Sequence, residues 1–156
     1  MSIETVKRYL EKFGVANRVM EFEISSATVE LAAQALNVKP ERIAKTLSFK
    51  NEDSCVLLVT AGDAKVDNQK FKSAFGFKAR MLAPEEVLEL VGHEIGGVCP
   101  FGIRQDIPVY LDVSLKRFST IFPACGSKNS AIELNCDELY QYSNAKEWVD
   151  ACKGWE

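Results

Sequence analysis

Histidine is nearly missing from this chain, which has one, His93, and its five cysteines at 55, 99, 125, 136 and 152 form no Cys-x-x-Cys pair. Zinc sites draw on clustered His and Cys, and disulfide frameworks need a paired set, so neither a metal nor a disulfide scaffold is expected and the thiols read as reduced and buried. A surplus of positive charge is missing too: 19 Lys and Arg stand against 22 Asp and Glu, a net charge of −3. Proteins that grip long duplexes through their phosphates carry a basic face, so any nucleic-acid contact made by this chain should be local. No apolar run approaches ~18 residues, and Met1-Ser2-Ile3-Glu4-Thr5 has no basic segment leading into an apolar one. That predicts a cytoplasmic protein with no membrane partner. Neither Gly-x-Gly-x-x-Gly nor Gly-Lys-Ser/Thr occurs, which removes those nucleotide-binding loops and implies no cofactor.

What the chain does have is an ordinary globular composition, 47% hydrophobic and 26% charged over 156 residues, enough for one domain, 1–156, that buries ~68–70% of its unfolded surface. Its densest feature is Gly92-His93-Glu94-Ile95-Gly96-Gly97-Val98-Cys99-Pro100-Phe101-Gly102, with four glycines and a proline. Glycine removes the Cβ that keeps other groups off the backbone, and proline fixes φ near −65°. The stretch therefore reads either as a tight helix-to-strand connection or as a bare loop whose amides can approach a ligand.

Along the chain, Ile3, Val6, Leu10 and Phe13 recur at helical spacing behind a Ser2 cap and before Gly14. Arg18 to Glu23 alternates like a short strand, Thr28 to Leu36 reads as a helix, and Val38-Lys39-Pro40-Glu41 as a turn into a short helical piece. Ile43 to Phe49 and Ser54 to Thr60 read as a hairpin across Asn51-Glu52-Asp53. Asp67 to Phe75 reads as a helix burying Phe71, Ala74 and Phe75. The lysines around it (65, 70, 72, 78) and Arg80 form a mild basic bias, more simply a solvated face than a contact surface. Ala83-Pro84-Glu85-Glu86 opens a helix in which Leu88, Leu90 and Val91 cover the sheet. Strands are expected over Pro108–Asp112, Thr120–Pro123 and Ser130–Leu134, with a short helix at Leu115–Phe118. Asn135 and Asn144, each with Glu three residues on, predict two closing helices. Helices mixed among short strands without strict βαβ alternation predict an α+β domain with a mixed, strongly curved, barrel-like sheet surrounded by helices.

Parity within Ile43–Phe49 singles out Lys45, which shares its face with Ile43, Leu47 and Phe49. An ammonium group among large apolar side chains is costly unless it meets a partner or ligand. The alternative is a lysine whose head reaches water past the strand end.

The loop Gly96-x-x-x-Pro100, preceded by Gly92 and closed by Phe101-Gly102, resembles that of the YbaK/ProX-like aminoacyl-tRNA deacylases and the related insertion domain of prolyl-tRNA synthetase. Arg42-Ile43-Ala44-Lys45-Thr46-Leu47 resembles the same family's Lys-Thr-Leu strand, and Gly126 followed by Ile132-Glu133-Leu134 its C-terminal block. The resemblance covers nearly the whole chain. It implies hydrolysis of the ester joining a wrong amino acid to the 3′-terminal adenosine of a tRNA, such as Cys-tRNA(Pro) or Ala-tRNA(Pro), with a prolyl-tRNA synthetase as a further partner and a monomer or weak homodimer as the assembly. Amides around Gly96, Gly97 and Val98 would polarise the ester carbonyl, and Lys45 would hold the terminal phosphate or ribose. Phe22, Thr46 and the Gly126-Ser127 turn would shape the amino-acid pocket, with His93 at its rim and Cys99 and Pro100 in the loop beside it. No side chain offers itself as a general base, so water would be activated by the substrate's own 2′-hydroxyl, amino group or thiol.

The chain departs from the family pattern at Cys125-Gly126-Ser127-Lys128-Asn129, where a Gly-Gly-Lys-Arg-Gly-like turn is common, at Phe22, where some members have Tyr, and at Cys99, where Ser is common. Each change bears on which amino acid is accepted. Two other functions fit the residues: a non-catalytic module of the same fold that binds an aminoacyl or nucleotide end, and a thiol hydrolase with Cys99 as nucleophile and His93 as base.

Overall fold

A computed structural model of the chain describes residues 2–155, with the Ser2 side chain outside the description, so the cap expected of Ser2 lies outside the described residues. In chain order the elements are α1 (Ser2–Glu11), β1 (Met20–Glu21), α2 (Val29–Leu36), β2 (Ile43–Asn51), β3 (Ser54–Ala61), β4 (Lys65–Val66), α3 (Asn68–Phe75), α4 (Pro84–Val91), β5 (Val109–Asp112), β6 (Phe122–Pro123), β7 (Ser130–Ala131), α5 (Cys136–Tyr142), β8 (Glu147–Val149) and β9 (Cys152–Lys153). Among these described residues no helix is long and apolar enough to cross a membrane.

The centre is the β2–β3 hairpin, antiparallel with Asn51 opposite Ser54, its two-residue turn reached by placing Glu52 at φ +55°. β3 is buried from Cys55 to Ala61, as a continuous β-branched and apolar run requires of a strand covered on both faces. β5 and β6 join the hairpin in parallel and β8 joins β5, giving the order β6-β2-β3-β5-β8 in a mixed sheet that curls into a half-barrel. The main core gathers on β3, with Val6 and Leu10 from α1, Phe71 from α3, and Val87 and Val91 from α4. A smaller cluster, Ala32, Ala33, Ile43 and Phe122, seats α2 on the start of β2 and β6. Local signals set the helix ends. Thr28 caps α2 by accepting from Leu31 N, Asp67 caps α3, and α4 ends at Gly92 with φ +85°, which turns the chain into the glycine loop.

Several expectations are corrected. Ala74 is exposed on α3, and Leu88 is 52% exposed on α4, where Val87 does the packing. The strand expected over Arg18–Glu23 shrinks to Met20–Glu21, because Arg18 ends a 3-10 turn and only these two residues find a partner, in β7. Asn135 does form the reciprocal cap, accepting from Glu138 N at 2.8 Å while its own N–H donates to Glu138 Oε1 at 2.9 Å. The second closing helix does not exist. Asn144 instead takes φ +54°, Lys146 N donates to Val109 O, and Glu147–Val149 pairs with β5. A cap pattern is local, whereas the unpaired edge of β5 offers hydrogen bonds to a segment carrying the strand formers Trp148 and Val149.

Candidate functional site

Three backbone segments converge beside the sheet. Residues 25–28 precede α2 and are tied to the 125–129 turn, Ser26 N donating to Lys128 O at 2.6 Å and Phe22 N to Asn129 O at 2.8 Å. The glycine loop packs on the same turn: a Cβ at Gly97 would stand 2.7 Å from Ser127 N and 2.8 Å from Gly126 C, distances no real Cβ tolerates against backbone. At Gly96, with φ +95°, an added Cβ would stand 3.0 Å from Ala27 Cβ and 3.2 Å from Lys128 Cγ. Glycine is required at 97 for close approach and at 96 mainly for its conformation.

A cleft of about 230 Å³ opens between these segments and β2. Its wall includes Ser26–Val29 at the N-terminal end of α2, Ile43–Ser48 of β2, Met81 and Leu82, Ile95, Gly96 and Val98 of the glycine loop, and Ala124, Ser130 and Ala131. Lys45 is the one charged residue on that wall. Its Nζ donates to Ala64 O at 2.6 Å and Gly62 O at 3.3 Å, and burial pulls its pKa below the ordinary lysine value. An ammonium has three donors, so one N–H is left over for a ligand. The turn that receives Lys45 is itself braced: Ala61 N donates to Ser114 Oγ, and the buried Asp112 carboxylate accepts from Ser114 N at 3.0 Å and Ala151 N at 2.9 Å.

The glycine loop contributes amides unequally. Gly97 N donates to Glu94 O at 2.9 Å and is spent inside the loop, whereas the N–H groups of Gly96 and Val98 have no protein partner among the described residues. Thr46 Oγ1, also on the wall, is buried without a partner. The wall thus brings together Gly96 and Val98, whose amides have no protein partner among the described residues, and the Lys45 ammonium in a mostly apolar surround, residues suited to a carbonyl or other negatively polarised oxygen.

Of the residues singled out in the sequence, Lys45, Thr46, Gly96 and Val98 meet at this cleft. Gly97, Gly126 and Ser127 lie behind its wall as the packed joint between two loops. Phe22 is not on the wall; its backbone holds the 125–129 turn through Asn129, whose side chain also donates to Phe22 O. Pro100 faces a different concavity. His93 and Cys99 are buried away from the cleft, at 1% and 0% exposure. A carbonyl only accepts, so His93 Nε2 carries the hydrogen it donates to Phe101 O at 2.9 Å, and Nδ1 has no partner. Cys99 Sγ sits 3.6 Å from that donor nitrogen, which has no lone pair to take a proton. Burial pushes the thiol up to about 12 and pulls the imidazole below its usual value, the reverse of an activated thiolate pair. The thiol-hydrolase reading is therefore set aside. Sequence reasoning missed the 26–29 segment, although Thr28 signalled the helix start, and missed Met81, Leu82 and Ser130, which carry no motif. Among the described residues no three His, Cys, Asp or Glu gather as a metal site requires.

Comparison with known proteins gives a consistent picture. The family model described as an aminoacyl-tRNA editing domain matches residues 25–142. The chain is 60% identical to the uncharacterised protein YwhH of Bacillus subtilis over the full length of both. It is 28% identical to EbsC of Enterococcus faecalis, named as a candidate Cys-tRNA(Pro)/Cys-tRNA(Cys) deacylase, covering 89% of this chain and 87% of that one. A crystal structure described as a candidate trans-editing enzyme for prolyl tRNA synthetase superposes with a TM-score of 0.88 at 32% identity, covering 98% of each chain. The chain also matches part of proline--tRNA ligases, spanning 16% of that from Bacillus pumilus.

Proposed function

Because the chain belongs to the aminoacyl-tRNA editing domain family, we propose that it is a deacylase that hydrolyses the ester of a mischarged aminoacyl-tRNA at the 3′-terminal adenosine. The observation that carries this reading is the pairing of unengaged Gly96 and Val98 amides with Lys45 on one small cleft. As the ester carbonyl is attacked, negative charge grows on its oxygen. Amides held by a rigid loop meet that charge without reorganising, an effect worth ~2.7–4 kcal/mol per donor in other acyl-transfer sites. The free N–H of Lys45 adds positive field and holds the ribose or terminal phosphate. Among the described residues the wall carries no carboxylate, imidazole or thiol, so the proton of the attacking water passes through the substrate's 2′-hydroxyl or amino group to the 3′-oxygen as the acyl C–O bond breaks. Cys-tRNA(Pro) and Ala-tRNA(Pro) are the substrates proposed, since a mostly apolar cleft of about 230 Å³ favours a small side chain, and the partners are the tRNA acceptor end and a prolyl-tRNA synthetase.

The test is a deacylation screen over correctly and incorrectly charged tRNAs, repeated on acceptor-arm minihelices. Hydrolysis of one or a few mischarged tRNAs, with the minihelix nearly as good a substrate, is expected. If no charged tRNA is cleaved while uncharged tRNA still binds, the chain is a non-catalytic module for the aminoacyl end.

A further inference from the structure

On the other side of the glycine loop lies a second concavity of about 480 Å³, formed by the end of α1, residues 100–107 and the turn after α5. Lys12, Arg104 and Lys146 stand on its wall and no carboxylate does, in a chain whose net charge is −3. Arg104 is engaged by Asp106 at 2.6 and 3.1 Å, so it offers shape more than net charge. Lys12 lies over the Tyr9 ring at 4.2 Å, and neither Lys12 nor Lys146 has a carboxylate partner among the described residues. Gln105 and Gln141 add amide donors at the sides. Ser143 belongs to the same wall, is 3% exposed, and its Oγ is buried with no protein partner. Native structures rarely leave a buried hydroxyl unpaired unless something else satisfies it. Two lysines without carboxylate partners and neutral amide donors on one wall, with no acidic side chain among them, suit a ligand that is anionic and rich in acceptor oxygens.

We propose that this groove is a second binding site and takes a backbone phosphate of the RNA whose 3′ end enters the cleft. The proposal rests on the editing reading of the cleft and adds to it where the rest of the tRNA is held. Val98 lines the cleft and Pro100 the groove, two residues and so no more than about 7 Å of chain apart. A strand with a phosphate at every nucleotide can engage both. Phosphate contacts position without reading sequence, which suits a site that orients the acceptor end while the cleft inspects the amino acid.

The experiment compares the wild type with Lys12→Ala/Lys146→Ala, both exposed side chains outside the cleft. Fluorescence anisotropy with an uncharged acceptor-arm minihelix over a salt series should show the slope of log K against log[salt] flattened by about 0.7–0.9, the contribution of one phosphate. With charged minihelix, KM should rise at least tenfold while kcat holds, and aminoacyl-adenosine, which has no phosphate, should be cleaved as by wild type. An unchanged slope with unchanged KM overturns the proposal. So does a groove that binds inorganic phosphate in the wild type while minihelix affinity ignores the double substitution, which makes it a small-anion site. If the wild type cleaves no charged RNA, the deacylase reading fails, and the anisotropy slopes still decide the groove.

Discussion

Substituting Gly97 by Ala tests whether the site is built by contact between two loop backbones. The backbone of Gly97 lies outside the left-handed region, so alanine is conformationally acceptable and the effect is steric alone. The new Cβ would sit 2.7 Å from Ser127 N and 2.8 Å from Gly126 C and Ser127 Cα, some 0.6 Å or more inside ordinary contact. These are backbone atoms with no rotamer to yield, so the loops must separate. Overpacking of this kind costs ~1–3 kcal/mol, and at ~2–4 °C per kcal/mol for a chain of this size Tm should fall by roughly 2–12 °C. Displacing the Gly96 and Val98 amides by up to about 1 Å should lower turnover about 100-fold. Gly92→Ala is the control: at φ +85° with nothing within 4 Å of its Cβ, it should lose only the ~1–2 kcal/mol of left-handed strain and keep its turnover. Differential scanning fluorimetry and single-turnover deacylation measure both variants. Wild-type Tm and turnover in Gly97→Ala would refute the contact as the basis of the site.

Lys45→Ala should keep its stability within about 1 kcal/mol, because Gly62 O and Ala64 O return to water at a half-buried position, yet lose at least ~10²-fold in turnover; near-normal deacylation would remove Lys45 from the site. Cys99→Ala should melt lower through lost packing at a fully buried position but retain turnover within severalfold, and complete inactivation at unchanged Tm would restore the nucleophile. For His93, burial holds the folded pKa below the unfolded value near 6.5. The unfolded chain therefore binds more protons below pH 6.5, so the stability held by neutral His93 is complete above that pH and drains away as pH falls toward the folded pKa. The difference in Tm between wild type and His93→Asn should shrink from pH 7 to 5.5, and a constant difference would refute a neutral buried imidazole.

The sequence by itself determined the elements whose causes are local. The helix starts at Thr28, Asp67 and Asn135, the Gly14 and Gly92 stops and the hairpin turn are written within a few residues, and each stands in the structure, the turn being one residue shorter than Asn51-Glu52-Asp53 because Asn51 pairs with Ser54. Family membership was legible because Lys45-Thr46-Leu47, Gly96-x-x-x-Pro100 and Gly126 keep their types and order. Long-range pairing decided the rest. The cap-like Asn144 and Glu147 went into a strand because β5 had an open edge, which no window around residue 144 contains. Among equally plausible loop amides, only the fold spends Gly97 on Glu94 O and leaves Gly96 and Val98 without a partner among the described residues. His93 and Cys99, six residues apart and chemically suggestive, were retired by burial, and the wall at 26–29, 81–82 and 130–131 was assembled from segments that carry no motif. Periodicity and capping are properties of neighbours along the chain, whereas access to a cleft and the partner of an amide depend on which distant backbone arrives beside it.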